Sequence, residues 1–152
     1  MGRTLIGAVT IITLVLAVSV SGAAGPAPAD AVKYRQSIMK AMSGHAGAIS
    51  MLARGRAGDP AYLARHAKAL VNLGAEIGLV FQEGSIVEDS EALPAIWEDP
   101  EEFAKVVATF EAAISSLGDV ADSDDMQVID AAFREVGQAC KGCHEKFRVK
   151  DD

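Results

Sequence analysis

The feature that most constrains the fold is the spacing of apolar residues, which alternates between steps of three and four in four separate segments. The last segment carries Met126, Ile129, Phe133, Val136, Cys140, Cys143 and Phe147. The one before it carries Phe103, Val106, Phe110, Ala113, Leu117 and Val120. The two earlier segments carry Leu63, His66, Leu70, Leu73, Ile77 and Val80, and Ala31, Tyr34, Ile38, Ala41, His45, Ala48 and Leu52, each with one polar residue, a histidine, in the pattern. This spacing predicts an all-α fold, an antiparallel up-down four-helix bundle.

Capping residues set the predicted limits of the first two helices. Asp30 is a good N-cap for the first helix, which is expected to run to about Arg54 because Gly55 follows. Asp59–Pro60 combines an N-cap with proline at the first helical position. It therefore predicts the start of the second helix, which is expected to reach about Phe81.

The second half of the chain shows the same kind of boundaries. Residues 82–98 contain glycine and proline and are predicted to form a long connection. Asp99–Pro100 then predicts the start of a third helix, which ends near Val120. Ser123 is expected to cap the fourth helix, which ends near Phe147.

The N-terminus has the pattern of a secretion signal. Arg3 is followed by an apolar run from Leu5 to Val20 and then by small residues. We expect a signal peptide over 1–24, with the cleavage site open as far as Ala29, and a mature domain over 25–152. An uncleaved membrane anchor is the alternative. Cleavage would give a periplasmic protein with no stable membrane association.

The charge of the predicted mature chain is strongly negative. Removing residues 1–24 takes away one basic residue and no acid, leaving 13 basic and 21 acidic residues and a formal charge of −8. Nucleic-acid binding requires a basic face, so this balance argues against it.

The last helix carries a short motif with its own chemistry, Cys140-Lys-Gly-Cys143-His144. Two thiols three residues apart, followed by a histidine, suit covalent attachment of haem with the imidazole as an axial ligand. Zinc is a weaker reading, because structural zinc takes four ligands and the remaining histidines, His45 and His66, lie on other helices. A disulfide would close too small a loop to add much stability.

On these grounds the mature chain resembles cytochrome c′ (cytochrome c-prime), the four-helix class of c-type cytochromes. The resemblance rests on AVKYRQSIM at 31–39, SEALPAIW at 90–97 and CKGCHEKFR at 140–148. The position of the motif is the discriminating point. In the commoner small cytochromes c it lies near the N-terminus and a ligand methionine follows it, whereas every methionine here precedes it.

The resemblance implies one haem c, with Cys140 and Cys143 as thioether attachments and His144 as the axial iron ligand. It also implies other residues around the haem: Arg35, Gln36, Met39, Ser90, Glu91, Trp97 and Arg148. Met39 matches the position that covers the distal side of the iron.

The resemblance further implies a five-coordinate, high-spin iron that binds NO or CO, usually in a homodimer, here expected to form through the first two helices. Electron transfer to an unknown redox partner is a further implied role. The alternative is a low-spin electron carrier with Met39 as the sixth ligand, for which Met42 is a weaker candidate. His45 and His66 are expected to be neutral core residues.

Chemical catalysis is not predicted, because the chain shows no nucleophile–base pair, paired acid–base carboxylates or phosphate loop. A helical bundle with no haem remains the third reading. It would be revived if the protein carried no covalently bound chromophore.

Overall fold

The structure, a computed structural model, describes residues 25–150. Its helices are α1 (Pro28–Ala53), α2 (Leu63–Gly74), α3 (Ala95–Glu98), α4 (Pro100–Val120) and α5 (Met126–Phe147). One turn of 3₁₀ helix, Pro60–Tyr62, leads into α2. The predicted signal peptide lies outside the described residues. Within residues 25–150 no β-strand is formed, apart from a single backbone bridge between Ala92 and Arg148.

The four long helices pack as predicted. α1 packs against α2, α2 against α4, α4 against α5, and α5 against α1, so that the helices close a ring around one core. The largest fully buried apolar side chains are Ile49, Leu63, Leu70, Leu117, Ile129, Val32 and Val136. The predicted all-α four-helix bundle is confirmed, with α3 as one extra turn inside the predicted connection.

Two of the predicted helix starts are confirmed by hydrogen bonds. The backbone N–H of Ala61 donates to Asp59 Oδ1 at 3.0 Å. The backbone N–H of Glu102 donates to Asp99 Oδ1 at 3.1 Å. In both cases a carboxylate satisfies an amide that the first turn leaves without a helical partner.

The other two predicted caps are wrong. α1 begins at Pro28, two residues before Asp30, which lies inside the first turn and makes no cap bond. α5 is capped by Asp125, whose Oδ1 accepts from the N–H of Gln127 at 2.9 Å. The hydroxyl of Ser123 instead accepts from the N–H of Asp125. Both residues are good capping types, and the one nearer the helix takes the role.

The second helix is shorter than predicted, because α2 ends at Gly74 and not near Phe81. The chain continues in tight turns, in which the N–H of Ile77 donates to Gly74 O at 3.0 Å. Ile77 and Val80 stay buried through these turns. The apolar period therefore predicts their burial correctly, while glycine, which favours helix poorly, marks the end of the α-helix.

On α1 the predicted buried face is partly wrong. Ile38 and Leu52 are buried as expected, but Tyr34 is 52 % exposed and the next residue, Arg35, is buried. The Tyr34 hydroxyl donates to the carboxylate of Glu76 at the surface, which explains why the phenol lies outside the core. Ala31 is also buried as predicted, together with Val32. Met42 and Ile49 are buried one position after Ala41 and Ala48, which are not.

Candidate haem site

A cavity of about 290 Å³ lies between the first half of α1, the end of α5 and the connection before α4. Its apolar and polar lining residues are Val32, Arg35, Gln36, Met39, Lys40, Phe81, Glu91, Ala92, Cys143, His144, Phe147 and Arg148. Seven of the predicted haem-surrounding or ligand residues therefore meet at this cavity: Arg35, Gln36, Met39, Glu91, Cys143, His144 and Arg148. The antiparallel packing brings together segments that are about a hundred residues apart in sequence.

The motif on α5 faces this cavity and a smaller one beside it. Cys143 and His144 line both cavities, and Cys140 lines the smaller one. The two cysteines are free and partly buried. Cys143 and His144 are three and four residues after Cys140, and residues at these spacings lie on one helix face, so both thiols and the imidazole reach the same region.

The surroundings of these groups favour their neutral forms. Burial raises the pKa of Cys140, and burial together with the nearby Cys140 raises the pKa of Cys143. Partial burial, and then the Arg148 cation, lower the pKa of His144, while Glu91 acts in the opposite direction. The thiolate is the form that attacks disulfides, so the raised pKa values disfavour oxidation of the pair. The neutral imidazole is the form that binds metals.

Arg35 is a buried cation that ties α1 to the connection. Its Nη1 donates to Ser85 Oγ at 2.9 Å and to Val80 O at 3.4 Å. Its Nη2 donates to Ser85 O at 3.1 Å and to Ser90 Oγ at 3.0 Å. The guanidinium also lies 5.1 Å from the ring centroid of Phe81. Arg35 therefore fixes the cavity wall and also places a positive charge on it.

Residues 91–93 of the connection and residues 147–149 at the end of α5 form a short strap, which holds the end of α5 against the connection. The N–H of Leu93 donates to Phe147 O at 2.9 Å, and the N–H of Val149 donates to Glu91 O at 2.8 Å. Across the same strap, Nε of Arg148 lies 2.9 Å from a carboxylate oxygen of Glu91. The strap closes one side of the cavity next to His144.

Two predicted residues lie behind the cavity wall and do not line it. Ser90 accepts a hydrogen bond from Arg35. Trp97 is partly buried, and its Nε1 donates to Phe81 O at 3.2 Å. Both therefore support residues that line the cavity. Gln36 does line it, and its Nε2 donates to Asp89 O at 2.8 Å.

The smaller cavity, of about 40 Å³, is almost entirely apolar. Besides the motif residues, it is lined by Met39, Met42, Ile77, Val106, Val107 and Phe110. Met39 also lines the larger cavity, so it lies at the junction of the two. Apart from His144 and the thiols, the side chains of this wall offer no hydrogen-bond donor.

Comparison with known proteins decides the family. The sequence profile of the family described as Cytochrome C' matches residues 30–148. The chain is 37% identical over 125 residues to the cytochrome c′ of Rubrivivax gelatinosus. The match covers 81% of this chain and 97% of the relative. The chain belongs to the cytochrome c′ family.

Solved structures of cytochrome c′ share the fold. A ferrous variant from Alcaligenes xylosoxidans with bound NO has a TM-score of 0.75 and 35% identity, covering 82% of this chain and 97% of that one. A variant of the same protein with bound carbon monoxide has a TM-score of 0.75 and 36% identity, covering 82% and 98%.

The predicted cofactor is confirmed by the family, since cytochrome c′ carries one covalently attached c-type haem. The cavity fits such a group. Val32, Phe81 and Phe147 give apolar walls for a flat macrocycle, and Arg35 and Arg148 give cations for its propionates. Cys143 and His144 line this cavity, and Cys140 lines the smaller one beside it. Within residues 25–150, no group of three or more His, Cys, Asp or Glu side chains could hold a separate metal ion.

Several residues of the site escape sequence analysis. Lys40, Phe81 and Ala92 line the cavity, and Ser85 is the main partner of Arg35. Phe81 and Ser85 lie in the connection, where no helical period indicates which side chains point inward. Lys40 comes directly after the segment 31–39 on which the resemblance rests. Nothing in the sequence distinguishes it from an ordinary surface lysine.

Neither of the other two histidines lines a cavity at the haem site. His45 and His66 are partly buried and face each other between α1 and α2. The described part of the chain also contains no helix that is long and apolar enough to cross a membrane.

Proposed function

We propose that this chain is a periplasmic c-type haem protein whose iron has one protein ligand and binds NO and CO. In this proposal Cys140 and Cys143 form the thioether bonds to haem, and His144 is the axial ligand. The observation that carries it is that Cys143 and His144 line both the large cavity and the apolar one beside it. The haem would supply an iron centre that binds a diatomic gas or holds an electron.

The residues around the cavity have separate roles in the proposal. Arg35 and Arg148 bind the propionates, and Gln36 and Glu91 complete the polar side of the cavity. Ser90 and Trp97 position Arg35 and Phe81 through the hydrogen bonds described above. Because the fork of Arg35 is held by four contacts, it is ordered without help from a ligand.

The apolar cavity supports a preference among gases. A space of about 40 Å³ has room for a small molecule and excludes bulky ones. Met39, Met42 and Phe110 offer no hydrogen bond there, so a polar O₂ ligand would gain less than NO or CO. The NO-bound and carbon-monoxide-bound structures of the Alcaligenes xylosoxidans protein support this choice of ligands.

A second candidate is a six-coordinate electron carrier with Met39 as the sixth ligand. The observation in its favour is that Met39 shares both cavities with His144. Methionine ligation would leave no open position and would raise the reduction potential. The two candidates make opposite predictions for a substitution that removes only the sulfur.

The test is a matched pair of variants, Met39→Leu and Met42→Leu, in the haem-loaded protein. Leucine keeps nearly the same volume, so packing changes little. With an open iron, neither variant changes the spin state, and the affinity of the ferrous protein for CO stays within about threefold of wild type.

If Met39 is a ligand, Met39→Leu alone converts a low-spin spectrum to a high-spin one, lowers the reduction potential and accelerates CO binding. That outcome would replace the first candidate by the second. A third variant, Cys140→Ser with Cys143→Ser, tests the attachment. This variant is expected to show no haem staining on a denaturing gel, because only covalently attached haem stays on the chain there.

Two further features belong to the proposal and have their own measurements. Residues 1–24 are removed on export, which N-terminal sequencing of the periplasmic protein checks. The mature protein forms a homodimer through α1 and α2, which sedimentation of the wild-type protein checks. A mass of one chain at micromolar concentration would contradict the dimer.

A further inference from the structure

Two histidines meet between α1 and α2, away from the haem cavity. Nδ1 of His45 lies 2.9 Å from Nδ1 of His66. The two rings have centroids 5.2 Å apart and planes inclined at 53°. Neither residue lines the large cavity or the apolar one. The haem site therefore does not explain why these side chains are paired.

The protonation states restrict what this pair can do. A hydrogen bond between two Nδ1 atoms needs one protonated ring nitrogen and one bare nitrogen. If both Nδ1 atoms are bare, with the protons on Nε2, two lone pairs face the same small space. That is the tautomer in which imidazole binds a metal through Nδ1.

The separation of the two nitrogens is close to that of two ligands of one metal ion. With metal–nitrogen bonds of about 2.05 Å, nitrogens 2.9 Å apart subtend an angle of about 90° at the metal. A tetrahedral angle of about 109° would require a separation of about 3.3 Å. Rotation of the rings reaches either separation, so the two nitrogens can occupy adjacent positions around one ion, as they would in a tetragonal Cu(II) site.

The surroundings allow a metal to enter and to complete its coordination. Both imidazoles are partly exposed, so solvent reaches them. Water molecules could fill the other positions of a tetragonal ion. Among the divalent first-row metals, Cu(II) also binds nitrogen sites most tightly.

We propose that His45 and His66 form a two-histidine Cu(II) site between α1 and α2, separate from the haem. Copper binds Nδ1 of both rings and replaces the hydrogen bond between them. Each imidazole ring rotates about χ1 and χ2 so that its Nδ1 lone pair points at the metal.

The chain offers a simple background for a test. It contains only three histidines, and the third, His144, is the proposed iron ligand. The experiment titrates the ferric, haem-loaded protein with Cu(II) in the presence of excess glycine, which removes loosely held copper. Electron paramagnetic resonance reports the number of bound ions and the nitrogen ligands, independently of any gas binding.

The variants are His45→Asn and His66→Asn. An asparagine side chain places a polar atom near the position of Nδ1, so a hydrogen bond to the remaining histidine can form while chelation is lost. Haem absorbance and the thermal midpoint check that each variant is folded. Lys68→Gln serves as the matched control, since it removes a nearby exposed charge on α2 and no imidazole.

The wild-type protein and the Lys68→Gln variant are expected to bind one Cu(II) per chain, with a signal split by two nitrogens. Each asparagine variant should bind it at least about tenfold more weakly, because a single imidazole loses the chelate. The proposal is overturned if folded wild-type protein binds no copper in this titration. Equal copper affinity in the wild type and both asparagine variants would overturn it as well.

Discussion

The two halves of the bundle are held together in different ways. The half that contains the end of α4 and the start of α5 is closed by apolar side chains such as Leu117 and Ile129, each at most 2% exposed. Its helices are joined by short turns. The other half contains the cavity, and its wall is the irregular connection that follows α2.

The difference shows what a built-in cavity requires. Apolar side chains that pack to full density leave no room for a cofactor. In the cavity half, the connection is held by the polar contacts of Arg35 and by the strap around Glu91 and Arg148. These directional bonds hold the wall of the large cavity in place at a distance from the opposite helix.

The largest effect on stability is expected in the closed half. Leu117→Ala removes a side chain that is fully buried, and the resulting void should cost about 2–5 kcal/mol of unfolding free energy. Urea denaturation of the haem-loaded protein measures it. The control is Leu79→Ala, at a side chain 82% exposed, which should change stability by less than about 0.5 kcal/mol. Equal effects would contradict the packing described for this half.

A slightly smaller loss of stability is expected when Arg35 no longer holds the connection that forms the cavity wall. Arg35→Met keeps the length of the side chain but removes the donors to Ser85, Ser90 and Val80 O. The loss should be about 1.5–3 kcal/mol, since hydrogen bonds from a charged group are lost and buried acceptors are left unpaired.

Arg35→Lys sharpens this result, because lysine keeps the charge but has no planar fork to reach several acceptors. It should recover only part of the loss in the same urea experiment. Full recovery would mean that charge alone, and not the bonded fork, holds the connection.

The smallest effect is expected at the strap. Glu91→Gln removes the charge that faces Arg148 but leaves the backbone bonds of Leu93 and Val149 in place. Because Glu91 is well exposed, the change should cost at most about 1 kcal/mol, and less at high salt. Thermal unfolding at low and high salt checks this. A larger, salt-independent loss would show that the ion pair and not the backbone holds the strap.

The same comparison explains which parts could be predicted from the sequence. In α4 the Asp99 cap is a local signal, and it is confirmed. The apolar spacing of α4 predicts the burial of Phe103, Phe110 and Leu117 correctly. Val107 and Ile114 are buried, however, while the predicted Val106 and Ala113 are only partly buried. Ser123 and Asp125 are both good capping residues, so the sequence alone does not choose between them. Gly74 ends α2 where a Cβ atom would come within 2.0 Å of Ile114, a contact that only the packed structure reveals.

The cavity half was harder to predict, and Arg35 shows why. An arginine on a helix is normally exposed, and its acceptors lie 45 to 55 residues away in a segment with no period. The resemblance alone placed Arg35 and Gln36 near the haem. Neither it nor the spacing indicated Ser85 or Phe81, because their positions depend on how the connection folds against α1.

The absorption spectrum of the wild-type haem protein in the ferric and ferrous forms, before and after CO is added, tests most directly whether the iron has an open position. We expect a high-spin spectrum in both forms and immediate binding of CO to the ferrous protein. A low-spin spectrum with a methionine-to-iron charge-transfer band and resistance to CO would contradict it, and would identify Met39 or Met42 as an iron ligand.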